Sequence, residues 1–159
     1  MNTINLRSVC TLFITTLFTT FIIIGCSNPA NSNGDDHHSH PEGAVLQMNG
    51  EEIIRIEEGE IVSGNSSLEI ENGDETPLIT IYFLDHDGET FHPEEDHFSL
   101  NWDQIDTSVA VIEQHEEDGK WSFHLVGQSP GETEVRFRLW HEDENHSDFD
   151  TPPIPVTVN

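Results

Sequence analysis

Residues 120–141, KWSFHLVGQSPGETEVRFRLWH, carry apolar side chains at every second position on either side of a Pro130-Gly131 turn. Trp121, Phe123 and Leu125 precede that turn, and Val135, Phe137 and Leu139 follow it. Each arm therefore shows one face to a core and one to water, which is the period of a half-buried strand. With turn chemistry between them, the two arms are expected to pair as a β-hairpin. The alternation then stops at Trp140-His141-Glu142-Asp143-Glu144-Asn145-His146-Ser147-Asp148, where nitrogen and oxygen donors take its place. That donor run is the main functional clue in the chain.

Working outward, short strand patterns recur and no helical period of useful length appears. They fall at Ala44 to Met48, Glu51 to Ile56, Ser67 to Glu71, Leu78 to Leu84, His97 to Trp102, Ser108 to Gln114, Lys120 to Gly127, Glu132 to Trp140 and Ile154 to Val158. Asn49-Gly50, Asn72-Gly73, Asp87-Gly88, Asp118-Gly119 and Pro130-Gly131 punctuate them as turn pairs. About nine strands at this spacing predict an all-β fold, an antiparallel β-sandwich of immunoglobulin-like size over residues 44–159.

The C-terminal half carries a family likeness as well. Asp106-Thr107-Ser108-Val109-Ala110-Val111-Ile112, followed by Val126-Gly127-Gln128-Ser129-Pro130-Gly131-Glu132-Thr133-Glu134-Val135, resembles the pattern of bacterial Ig-like domains of the group 2, invasin/intimin type. The closing Pro155-Val156-Thr157-Val158 is similar to the last strand of those domains. The resemblance implies an Ig-like sandwich of the kind used in stalks, adhesins and accessory modules, and it brings no catalytic residue.

Ahead of the sandwich, residues 1–25 contain no acidic residue, one Arg7 and an unbroken apolar and threonine run from Val9 to Ile24. This is the organisation of a secretory signal, and the run falls short of the ~20 residues that a membrane-spanning helix needs. Ile23-Ile24-Gly25-Cys26 resembles a bacterial lipobox, which implies cleavage before Cys26, lipidation of its thiol and a membrane anchor. A bacterial cell-envelope location follows, with the outer membrane expected. Residues 26–43 read as a flexible acidic, His-rich tether, in which His37, His38 and His40 form an accessory tract for loose metal capture.

Cys10 lies in the signal and Cys26 would be acylated, so the sandwich has no thiol. Any metal there must be held by histidine nitrogen and carboxylate oxygen, a donor set that suits Zn, Ni or Cu(II), or Ca with carboxylates alone. All 31 acidic residues follow Cys26, against Arg55, Lys120, Arg136 and Arg138. Such a surface repels nucleic acid and attracts cations, while also suiting a salty exterior. No phosphate loop, nucleophile elbow, His-Glu-x-x-His motif or catalytic cysteine is present, so no enzymatic activity is expected.

Counting strand reversals from the donor run places His115, His141 and His146 at one pole. His97 and His92 join them if Glu89 to Phe91 forms its own strand, and His86 joins instead if it merges into the next strand, with Asp143, Glu144, Asp148 and Asp150 nearby. His115, His141, His146, Asp148, His97 and His92 are accordingly the expected metal ligands. His124 is expected opposite Glu113, on a face shared with Arg136 and Arg138, and so to be a surface histidine without a ligand role. The expected function is a lipid-anchored envelope module that captures a divalent ion for an uptake or adhesion partner. The alternative is a structural or adhesive Ig-like lipoprotein with no metal role.

Overall fold

The computed structural model describes residues 40–94 and 96–159. The expected signal segment, Cys26, His37 and His38 lie outside the described residues. Twelve strands follow one another: β1 Gly43–Met48, β2 Glu51–Glu57, β3 Glu60–Gly64, β4 Leu68–Ile70, β5 Ile79–Leu84, β6 Thr90–Phe91, β7 Phe98–Asp103, β8 Ala110–Glu113, β9 Ser122–Gly127, β10 Gly131–His141, β11 His146–Asp150 and β12 Ile154–Val158. Among the described residues a single 3-10 turn, Glu116–Asp118, interrupts them. Among the described residues no helix is long and apolar enough to cross a membrane.

The strands form two sheets, as expected of an Ig-like sandwich. The first runs β3-β2-β1-β5-β9-β8 with β6 against β5, and the second runs β11-β10-β12-β4 with β7 against β10. Every pair is antiparallel except β4 with β12, which run parallel. The inward side chains are those that the alternation marked: Phe123 and Leu125 from β9, and Val135, Phe137 and Leu139 from β10, are all buried. They meet Ile54, Ile56, Ile81 and Phe83 in one core cluster.

The expected hairpin of residues 120–141 does not form. β9 pairs with β5 and β8, whereas β10 pairs with β7, β11 and β12. Gln128 to Pro130 instead carries the chain from one sheet to the other. The amides of Gln128 and Ser129 donate to Val109 O at 2.8 and 3.2 Å, so the connection bonds to the entry of β8 rather than across a hairpin. Gly127 permits the close approach, since a Cβ there would stand 2.6 Å from Glu71 O. A hairpin and a sheet-to-sheet crossover share the same period-2 pattern, because both turn one face of each arm to a core. The rings of Phe123 and Phe137 consequently meet across the sandwich, with centroids 4.7 Å apart, rather than side by side.

Three strands lacked a legible pattern. β3 is exposed along most of its length and includes Val62, the exposed large hydrophobic of the described residues at 52%. It exists because Glu58 and Gly59, both at positive φ, close a tight turn back from β2. β6 is too short to show a period. β11 has Phe149 as its one apolar residue, so no alternation could announce it.

A candidate metal centre at the end of β10

The inward parity of β10 runs Val135, Phe137, Leu139, His141, so an imidazole fills the last core-facing slot of the strand and is only 5% exposed. β7 lies beside it with Phe98 in register with His141. Its Phe98 ring is 4.7 Å from that of His141, and His97 stacks on the same imidazole at 4.7 Å with an interplanar angle of 26°. The amide of Glu142 donates to His97 O at 2.8 Å, tying the start of β7 to the turn. That turn, Glu142 to Asn145, closes with Asn145 at φ 55°, a left-handed conformation that asparagine tolerates. The Asn145 amide donates to His141 O at 2.8 Å.

The chain returns with His146 directly opposite His141, and their rings are 5.6 Å apart. Leu139 pairs with Phe149 but Trp140 pairs with Ser147, so Asp148 is the extra residue of a β-bulge. A bulge re-aims the side chains around it. Here it lets His146 and Phe149 occupy the inward side together, opposite His141 and Leu139. It also draws Asp148 under cover, where its side chain is 8% exposed. The Asp148 carboxylate lies 2.7 Å from His146 Nε2 and 3.8 Å from His141 Nδ1. Glu144 approaches the other nitrogen of His146 at 3.6 Å.

Two donor groups result, His97–His141–Asp143 and His141–Glu144–His146, and in each one atom per residue lies within 4.8 Å of the others. Zn–N bonds of ~2.1 Å separate two tetrahedral ligands by roughly 3.4 Å, a spacing that side-chain rotation reaches from there. His141 belongs to both groups. The mixture of imidazole and carboxylate, with no thiolate, is a donor set for a borderline divalent ion.

Of the expected ligands, His97, His146 and Asp148 each lie beside His141, with His97 and His146 in different donor groups and Asp148 in neither. His115 does not: its donor atoms group with those of Glu75 and His124 on the first sheet. Because the chain changes sheets between β9 and β10, residues that share a pole need not share a site. His124 does lie opposite Glu113, as the register required. Arg136 and Arg138, however, are on the second sheet, bound to Asp103 and, for Arg138, Asp150. The expectation that they share a face with His124 is therefore corrected. Glu75 was the residue that the strand pattern missed, and its only signal was a polar Asn72-Gly73-Asp74-Glu75 stretch resembling any loop. His40, in the expected tether, is exposed.

His92 also stands apart, although β6 is the separate strand that was to bring it in. Its ring stacks on Tyr82 at 4.3 Å and on Trp121 at 5.8 Å, and its Nε2 donates to Ile81 O at 2.8 Å. Burial lowers its pKa below the ordinary 6.5, with the bond to Ile81 opposing and Lys120 adding. The fold thus favours neutral His92, so its contribution to stability is complete above 6.5 and declines as pH falls below that value toward the folded pKa. Metal-free melts between pH 7.5 and 5 should show that decline, and His92→Phe should flatten the part due to this ring. A stability profile through this range that is the same with and without His92 would refute the assignment.

No protein-family model matches the chain, and no curated protein is significantly similar to it. Among solved structures, domains 4 and 5 of the S-layer protein SbsC are similar at 16% identity and a TM-score of 0.41. The match covers 74% of this chain and 65% of that one.

Proposed function

We propose that the protein is a lipid-anchored module of a bacterial cell envelope, tethered through Cys26, that captures a divalent metal ion at the end of β10. The observation that carries this reading is the position of His141. A core-facing strand slot that a small sandwich would normally fill with an aliphatic residue holds a buried imidazole, and two His/carboxylate groups share it. An imidazole grouped with His97, His146 and the carboxylates of Asp143 and Glu144 presents the mixed nitrogen and oxygen donors that a borderline divalent ion prefers. The acidic surface raises the local cation concentration around the site. The module acts by binding, without catalysis, and hands the ion to or holds it for an envelope partner.

Calorimetric titration of the full chain with Zn, Ni, Cu and Ca tests the reading. Saturable Zn binding that depends on His141 supports it, and no binding by any of the four ions refutes it. Anchoring has its own test. Cys26→Ser should move the protein from the membrane fraction to the soluble fraction and abolish incorporation of labelled fatty acid, since diacyl attachment is what holds such proteins to a bilayer. Membrane association that persists in this variant would make the Val9–Ile24 segment the anchor instead.

A further inference from the structure

On the outer face of the first sheet, β9, the connection that leads into it and a stretch some forty residues earlier bring a second set of donors together. β9 supplies His124, which points away from the core beside buried Phe123 and Leu125. The connection from β8 supplies His115 and Asp118, and Gln114 braces it by donating its side-chain amide to Lys120 O and Ser122 O, both at 3.1 Å. Glu75 comes from a stretch laid along the edge of β9. The bonds from Thr76 N to Leu125 O at 2.9 Å and from Gly127 N to Asp74 O at 3.0 Å fix the backbone on each side of it. All three segments are thus placed by main-chain or amide bonds rather than by chance contact of surface side chains.

His124 is the centre of the set, with its side chain 17% exposed. Its Nδ1 is 2.8 Å from Thr76 O and 3.1 Å from Glu75 Oε1. Its Nε2 is 3.5 Å from Asp118 Oδ2, and the His115 ring is 5.6 Å away. Oxygen acceptors therefore face both ring nitrogens. A neutral imidazole has one N–H, so one nitrogen turns its lone pair toward an oxygen, an arrangement that a bound cation would relieve.

We infer that Glu75, His115 and His124 form a second divalent-cation site, with Asp118 as an adjoining oxygen, separate from the centre at His141. One donor atom from each of the three residues lies within 4.8 Å of the others. When either nitrogen of His124 binds the ion, the other donates to the oxygen on its own side, Asp118 or Thr76 O, which orients the ring as the outer partners of metal-bound histidines do. Two imidazoles and a carboxylate suit Zn, Ni or Cu(II) better than Ca. An ion there would cross-link the Glu75 edge stretch to the β8–β9 connection. The inference does not rest on the His141 centre.

The test is a Zn titration of the full chain followed by the ring resonances of the individual histidines. His115 and His124 should shift together and saturate, and in the His141→Ala variant they should do so with an affinity unchanged within about 2-fold. His115→Ala and Glu75→Gln, both at exposed positions, should each weaken the His124 response ~10-fold or more, the scale on which removal of even an outer partner acts. His115 and His124 rings that stay still while His141 and His146 saturate would overturn the second site and leave the first intact. Shifts of His115 and His124 that vanish in His141→Ala would also overturn it. Shifts confined to His115 and His124 would sustain it and sink the His141 centre instead.

Discussion

Phe137→Ala is expected to lower the free energy of unfolding by about 3–5 kcal/mol, the range for deleting a fully buried aromatic ring. Phe137 lies near the middle of β10, the strand that pairs with β7, β11 and β12. Its ring packs 4.7 Å from that of Phe123 on the opposite sheet, so the deletion opens a void between the two layers rather than at an edge. Its backbone is tied on both sides to Thr151, donating to Thr151 Oγ1 at 3.0 Å and accepting from Thr151 N at 2.9 Å, so the strand cannot easily close into the gap. Against a total stability of about 5–15 kcal/mol the loss is a large fraction, and denaturant unfolding should show a lower midpoint at unchanged slope. Val62→Ala, on an exposed strand, should stay within about 0.5 kcal/mol. A Phe137 loss under about 1 kcal/mol would mean that the two sheets do not pack through this ring.

The second large effect is on metal affinity. Because His141 belongs to both donor groups at the end of β10, His141→Ala should weaken Zn binding there by roughly 100-fold, about 2.7 kcal/mol. His146→Ala removes a ligand from one group only, and an expected loss of ~10-fold, about 1.4 kcal/mol, follows. Since His141 is buried, its variant needs a circular-dichroism check of the fold. His146 is half-exposed and provides the comparison free of that concern. Asp148→Asn keeps the shape of the bulge while removing the charge beside both rings, and it should also reduce affinity. His86→Ala, which removes an exposed ring paired with the neighbouring Asp87 at 3.2 Å, should bind as the parent does. Equal affinity of the His141, His146 and His86 variants at the β10 site would show that these imidazoles do not hold the ion.

What the chain's sequence determined by itself was its class and its inward face. The alternation in β1, β2, β5, β7, β9, β10 and β12, punctuated by Asn-Gly, Asp-Gly and Pro-Gly pairs, is local information, because a two-residue period decides which side chains meet a core whatever the partner strand is. The register of Glu113 against His124 agrees with the arithmetic of a two-residue Asp118-Gly119 turn, although the connection that forms is longer and contains the 3-10 turn Glu116–Asp118. Which sheet each strand joins was decided by tertiary structure alone. The crossover at Gln128–Pro130 depends on bonds to Val109, nineteen or more positions earlier, and no local pattern records them. That one change of sheet separated His115 from His141 and placed Arg136 and Arg138 away from His124. Glu75 reached the imidazoles only because the edge of β9 accepted its backbone. The bulge at Asp148 likewise arises from pairing β11, a strand with almost no apolar residues, against a long neighbour whose own pattern is strong. Local periodicity thus selects faces, whereas a site that needs donors from several segments depends on long-range hydrogen bonding, which a two-residue period does not encode.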